Sequence, residues 1–210
     1  MVTDALYEPY RNEALARFQK KLSPSSKLPY YGISMPNLRA LAKTTKFDEI
    51  EIKYHEDVIL KGLSLALGKG PFKEKICFLD SLLCHLSSWD HTDTIASAFK
   101  SNALEKDDMF SYFSSLLMRE ETFIRRLGIV WLMANRHSID YDAALKLIVD
   151  ADKEDDYYVM MAVSWALSFY FFDGKDISKE LDIVSETTRK KAIQKIKESQ
   201  RQTKTLSLKR

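Results

Sequence analysis

EETFIRRLGIVWL (120–132) and DDYYVMMAVSWAL (155–167) are the two stretches whose comparison decides the fold. Laid over each other, both open on two acids, pass an aromatic residue and run into an apolar stripe that ends in Leu. HEDVILKGLSLAL (55–67) fits the same frame about two repeats earlier, and the segment from Trp89 fills the gap. Within each stretch the apolar residues recur at i, i+3, i+4 and i+7, the stripe of a helix packed on one side. Period-two alternation bounded by hairpin turns does not occur, so the fold is read as all-α. Helix pairs recurring every ~32–35 residues predict an α-solenoid. One helix of each pair then lines a concave face, and equivalent residues of successive repeats stack along one groove.

Working outward, helices are predicted over 4–20, 36–45, 55–68, 71–84, 89–100, 104–118, 121–136, 141–151, 155–172, 176–184 and 186–202. All five prolines fall at or before position 71. Pro36, after Met35, suits the first turn of a helix, where its missing N–H costs nothing. Gly70-Pro71 reads as a break, and Ser185 as the cap of the last helix. The chain, 1–210, is predicted to be a single repeat domain, with a basic C-terminal helix and tail from about 186.

Composition is that of an ordinary globular protein, with 45% hydrophobic and 30% charged residues, so disorder of the whole chain is excluded. Cys77 and Cys84 lie about two helical turns apart, roughly 10 Å along the axis, too far for an unstrained disulfide. That usage suits a reducing compartment. No stretch is apolar enough to span a membrane, and the N-terminus has no apolar signal segment, so a cytoplasmic location is predicted. Net charge is +2, unevenly spread. Residues 189–210 hold nine basic residues against Glu198 alone, which leaves an acidic body. Such an end is either a polyanion footprint or a solvated helix.

Several chemistries find no motif. There is no GxGxxG and no phosphate-binding loop; GKG at 68–70 lacks the spacing. His55, His85, His91 and His137 are scattered. Cys84, His85, Asp90, His91 and Asp93 invite a metal reading, but neither HExxH nor paired CxxC supports it, so no metal and no cofactor are predicted. No serine sits in a nucleophile elbow.

What stands out lies on helices of successive repeats. SSWDHTD (87–93) places Trp89 and Asp93 at i, i+4 on one face. TFIRRLG (122–128) sets Arg125 and Arg126 in an apolar helix, and AVSWALS (162–168) does the same with Trp165. Tyr30 and Tyr31 precede the second helix. Each has a plainer reading. A helical Trp is usually core, Asp90 could cap a helix with Asp93 merely on the surface, and Arg126 could pair with Glu120, Glu121 or Asp93. The sharper reading has Trp89, Asp93, Arg126 and Trp165 share one cleft suited to a cation, held by aromatic faces and opposed by a carboxylate.

At these residues the chain resembles the AlkD-type DNA alkylation repair family. The resemblance runs through YYGISMPNLRALAK (30–43), Trp89-x-x-x-Asp93, FIRRLGIVWLM (123–133), YYVMMAVSWALS (157–168) and TRKKAIQKIKES (188–199). It implies a right-handed solenoid of HEAT-like helix pairs that grips double-stranded DNA on a concave basic face, acting as a monomer. It also implies a glycosylase for cationic N3- and N7-alkylated purines. On that likeness Asp93 stands for the catalytic carboxylate, Trp89 and Trp165 for two aromatic walls, and Arg126 for the cleft arginine. Tyr31 stands for a third wall, with Tyr30 as its alternative, and Arg125, Lys190, Lys191 and Lys195 for contacts to the DNA backbone. The chain departs from the active pattern at Met161 and Ser168, where basic residues are expected around the second Trp. That departure keeps two other readings open: a catalytically silent DNA-binding solenoid, and a protein-interaction scaffold.

Overall fold

The computed structural model describes residues 2–199, and among them every regular element is helical. The chain divides into two compact units, Met1–Asp108 and Met109–Arg210. The division falls in the first turn of a helix. Among the described residues no helix is long and apolar enough to cross a membrane.

The first unit holds α1 (Val2–Tyr7), α2 (Glu13–Leu22), α3 (Met35–Leu41), α4 (His55–Leu67), α5 (Phe72–Leu83) and α6 (Trp89–Ala98). The helix predicted over 4–20 is in fact two. Pro9 has no N–H to continue the first, and Asn12 starts the second by accepting from the Leu15 N–H at 2.9 Å. Ser34 caps α3, with Pro36 in its first turn. The core of this unit gathers Tyr7, Ile33, Leu38, Leu41, Ile50, Ile59, Leu60 and Leu63 around the N-terminal half of α4.

Between α2 and α3 the chain passes beneath a buried carboxylate. Glu56 is fully buried, and it accepts from the N–H groups of Tyr31 (3.0 Å), Gly32 (2.7 Å) and Ile33 (3.2 Å). Three donors on one anion offset its desolvation and fix the turn. Gly32 has φ +91°, and a Cβ there would lie 2.0 Å from the Asn12 carbonyl oxygen, so this close approach requires glycine.

The second unit holds the rest of α7 (Lys106–Ser115), then α8 (Thr122–Asn135), α9 (Tyr141–Asp150), α10 (Tyr157–Phe172), α11 (Ser178–Ile183) and α12 (Glu186–Glu198). Asp140, Asp156 and Ser185 cap α9, α10 and α12 with their side chains. The predicted extension of the last helix to 202 and the tail from 203 lie partly or wholly outside the described residues. Trp131 is buried in α8 and stacks on Phe113, centroids 4.4 Å apart and planes 7° apart.

Within each unit, like helices of successive pairs are joined by polar ties of nearly constant sequence span. In the first, His55 meets Asp90 (2.8 Å, 35 residues apart) and the His91 ring N–H donates to the His55 carbonyl (3.1 Å, 36 apart). In the second, the Thr122 hydroxyl donates to Asp156 (34 apart) and Arg126 to the Tyr158 carbonyl (32 apart). Asp152 accepts from the Ser185 N–H (33 apart) and the Thr188 hydroxyl (36 apart), and Arg136 grips Asp173 through two nitrogens (37 apart). The period read from the sequence is therefore also the period of the bonds.

Candidate functional site

In the first unit α6 begins at Trp89, directly after a fully buried Ser88. Trp89 and Asp93 stand one turn apart on the same face, both half-buried. The indole N–H of Trp89 donates to the Leu22 carbonyl at 3.1 Å, which ties α6 to the C-terminal end of α2. The Thr92 hydroxyl donates to the Trp89 carbonyl at 2.8 Å and reaches Asp93 Oδ1 at 3.1 Å.

Beneath them runs a buried column that the sequence reading missed. Tyr30 stacks on His55 with centroids 4.1 Å apart, and His55 stacks on His91 at the same distance. The His55 ring is bonded on both edges, Nδ1 to the Ser26 hydroxyl at 2.9 Å and Nε2 to Asp90 at 2.8 Å. Ser88 also donates to Asp90. Burial alone would raise the Asp90 pKa; its hydrogen bonds from His55 and Ser88 win and hold it at about 2. Burial, with the His55 ring beside it, drives His91 down to about 3, so that ring stays neutral. Asp90 therefore anchors α6 to α4 rather than capping a helix. The repeat frame that places residues 55–67 two repeats before 120 carried the signal: His55 and Asp90 open successive units of it.

The two tyrosines diverge. The Tyr30 hydroxyl donates to the Ser23 carbonyl at 2.8 Å, and its ring belongs to the histidine column. Tyr31 turns toward Tyr7 and Tyr54, donates to Glu8, and lies under the Arg11 guanidinium, 5.6 Å from the ring centroid. The Glu8 hydrogen bond, with some desolvation, pushes its phenol up to about 12. Both rings border a cleft of about 420 Å³ with Tyr54, Arg11, Arg17 and Asp4.

In the second unit Trp165 is half-buried on α10, its ring edge-on to Phe169 at 5.7 Å. It lines a cleft of about 310 Å³ with Ser168, Phe169 and Phe172 of α10, and Lys195, Glu198 and Ser199 at the end of α12. Ser168 donates to the Trp165 carbonyl at 2.7 Å. A lysine from a different helix, Lys195, therefore borders the same cleft as Trp165. Arg126 is buried and donates to the Tyr158 carbonyl at 2.7 Å. Arg125 donates to the Arg119 carbonyl at 2.9 Å and lies 3.8 Å from Glu120. Lys190 pairs with Glu186 at 2.6 Å, and Lys191 donates to Gln194 at 3.2 Å.

The three tryptophans sort by exposure. Trp131 has no accessible surface, whereas Trp89 and Trp165 keep part of theirs. Among the described residues no group of three or more histidine, cysteine and carboxylate side chains could hold a metal ion. Cys77 and Cys84 are free and exposed.

A family model described as a DNA alkylation repair enzyme matches residues 4–171. The chain belongs to that family. No curated protein matches it. The family match includes Tyr31, Trp89, Asp93, Arg125, Arg126 and Trp165, and it ends before α12, so Lys190, Lys191 and Lys195 rest on resemblance alone. A role in DNA repair follows from membership, with DNA as the partner.

Proposed function

We propose that this protein is a DNA glycosylase that hydrolyses the N-glycosidic bond of cationic N3- and N7-alkylated purines in duplex DNA. The reading takes the chain as one domain, a right-handed solenoid of HEAT-like helix pairs with a concave DNA-binding face. The polar ties spaced 32 to 37 residues apart support a repeat of that kind. The observation that carries the catalytic part is α6: an indole with an accessible face and, one turn along, a half-buried carboxylate, in a chain of this family.

The chemistry follows from charges. Alkylation has already made the purine a cation, so the C1′–N bond breaks with its electron pair neutralising the base, and no acid is needed. The sugar left behind is oxocarbenium-like. Asp93 is assigned to stabilise it and to orient the water that adds to C1′, taking or passing on that water's proton. Trp89 and Trp165 are assigned as aromatic walls and Arg126 as the cleft arginine; Tyr31 is assigned as a third wall, and its bond to Glu8 leaves only the ring to offer. Arg125, Lys190, Lys191 and Lys195 are assigned to the DNA backbone.

A base-release assay on methylated duplex DNA tests the reading. Wild-type protein is expected to liberate free 3-methyladenine or 7-methylguanine, and Asp93→Asn to lower release at least 100-fold with an unchanged circular dichroism spectrum. Release unaffected by that substitution removes Asp93 from the mechanism. The second reading, a silent DNA-binding protein, is favoured by Met161 and Ser168 beside Trp165, where Ser168 is buried and committed to the Trp165 carbonyl. It predicts salt-sensitive duplex binding with no base released by either protein.

A further inference from the structure

α2 is unlike every long helix of the described chain in burying none of its residues. It is tied to the rest of the unit along one flank and at its C-terminal end. Gln19 donates to the Ile33 carbonyl at 3.1 Å, and the close approach of Gly32 to Asn12 sets its start. Bordering this attachment Phe18 and Leu22 stand one turn apart, 57% and 50% exposed. Lys21 and then Arg17, also exposed, continue the same surface round the helix away from the attachment, with Arg17 3.9 Å from Glu13 and Lys20 next along the chain. Lys20 and Lys21 in the last turn complement the helix dipole, but the dipole does not account for two exposed apolar side chains on the same two turns. The Leu22 carbonyl receives the Trp89 indole N–H, so this face ends at the residue assigned above as an aromatic wall.

The charges select the occupant. A second copy of the chain seated on this face would set Arg17, Lys20 and Lys21 against their own kind. A membrane would meet only two apolar residues on a ten-residue helix, too little to hold an interfacial helix. A polyanion with accessible apolar base surfaces satisfies both halves of the face at once. We propose that the α2 face is a duplex-DNA contact, with Arg17 and Lys21 on phosphates of one strand and the Phe18 ring, backed by Leu22, wedged against the bases of the groove beside them. The inference rests on the reading that the protein acts on DNA, but not on catalysis.

The test is binding to a labelled duplex by fluorescence anisotropy between 50 and 200 mM salt. The proteins are wild type, Phe18→Ala/Leu22→Ala and Arg17→Ala/Lys21→Ala. The apolar pair is expected to weaken binding about 10-fold at every salt concentration and leave the salt slope alone. The basic pair is expected to weaken binding and flatten the slope by about two, roughly 0.9 for each phosphate that is no longer neutralised. Phe18→Trp keeps an aromatic ring and is expected to bind as wild type. Because the four substituted side chains are all exposed, the variants are expected to keep the wild-type circular dichroism spectrum; should the apolar double variant not fold, Phe18→Gln carries the comparison. Unchanged affinity in both double variants overturns the proposal, as does a wild type that does not bind duplex. So does an effect of the apolar pair seen only in sedimentation or in vesicle flotation. Duplex binding that responds as expected, with no base released, keeps the α2 contact and removes the glycosylase reading.

Discussion

His91 is the residue whose ionisation most clearly distinguishes the folded from the unfolded chain. It is fully buried, its ring N–H is bonded to the His55 carbonyl, and its pKa is pushed down to about 3. The unfolded chain takes up that proton below pH ~6.5. Stability from keeping His91 neutral is therefore present above pH ~6.5 and lost as pH falls toward about 3. Between pH 4.5 and 6 one proton separates the states, a slope of roughly 1.4 kcal/mol per pH unit. His91→Gln, which keeps a donor, is expected to remove that slope, and urea unfolding at several pH values measures it. An unchanged slope in the variant would assign it to another group. Asp90 acts lower: its pKa, held at about 2, gives stability present above pH ~3.8 that fades as pH falls through about 2. At this scale the candidate site was half legible. Trp89 and Asp93 stand out as an i, i+4 pair on one helical face, and Trp165 as an indole inside an apolar helix. His55 and Asp90 meet across two helices, and no local spacing announces such a pair.

Elements were more legible than their ends. The helical period, with Pro36, Gly70-Pro71 and Ser185 as start and stop signals, placed most helices within a few residues. The N-terminal helix was misread because Pro9 and Asn12 lie inside a stretch that otherwise keeps its stripe. What the sequence could not tell is which carboxylates serve turns rather than solvent. Glu56 looks like a first-turn acid, yet it binds three backbone N–H groups of the turn before α3. Glu56→Ala leaves those donors without their anion and is expected to destabilise the protein by roughly 2–4 kcal/mol in urea unfolding. Helix packing gives a second prediction. A Cβ on Gly128 in α8 would lie 2.4 Å from Leu117 Cδ1 and 2.6 Å from the Phe113 carbonyl oxygen. Gly128→Ala therefore forces backbone apart, and the expected cost is about 1–3 kcal/mol despite alanine's better helix propensity; a raised melting temperature would contradict this.

For the molecule as a whole, charge matters more than its small sum. Residues 189–210 are strongly basic on an otherwise acidic chain, and four of those cations, Arg201, Lys204, Lys209 and Arg210, lie outside the described residues. If they engage phosphates, a chain ending at 199 neutralises up to four fewer of them, and its salt slope for duplex binding falls by as much as about 3.6. An unchanged slope would mark these cations as bystanders. The all-helical fold was legible because the apolar stripe keeps the helical period along the chain. A similar spacing recurs in the polar ties between α4 and α6, between α8 and α10 and at the start of α12, which is compatible with a helical repeat.

If Trp89 is the aromatic wall proposed above, one bond limits what it can discriminate. With its N–H committed to the Leu22 carbonyl, Trp89 has no donor left to read the edge of a base. Only its π surface remains, and a π surface sorts guests by charge and flatness, blind to whether adenine or guanine carries the lesion.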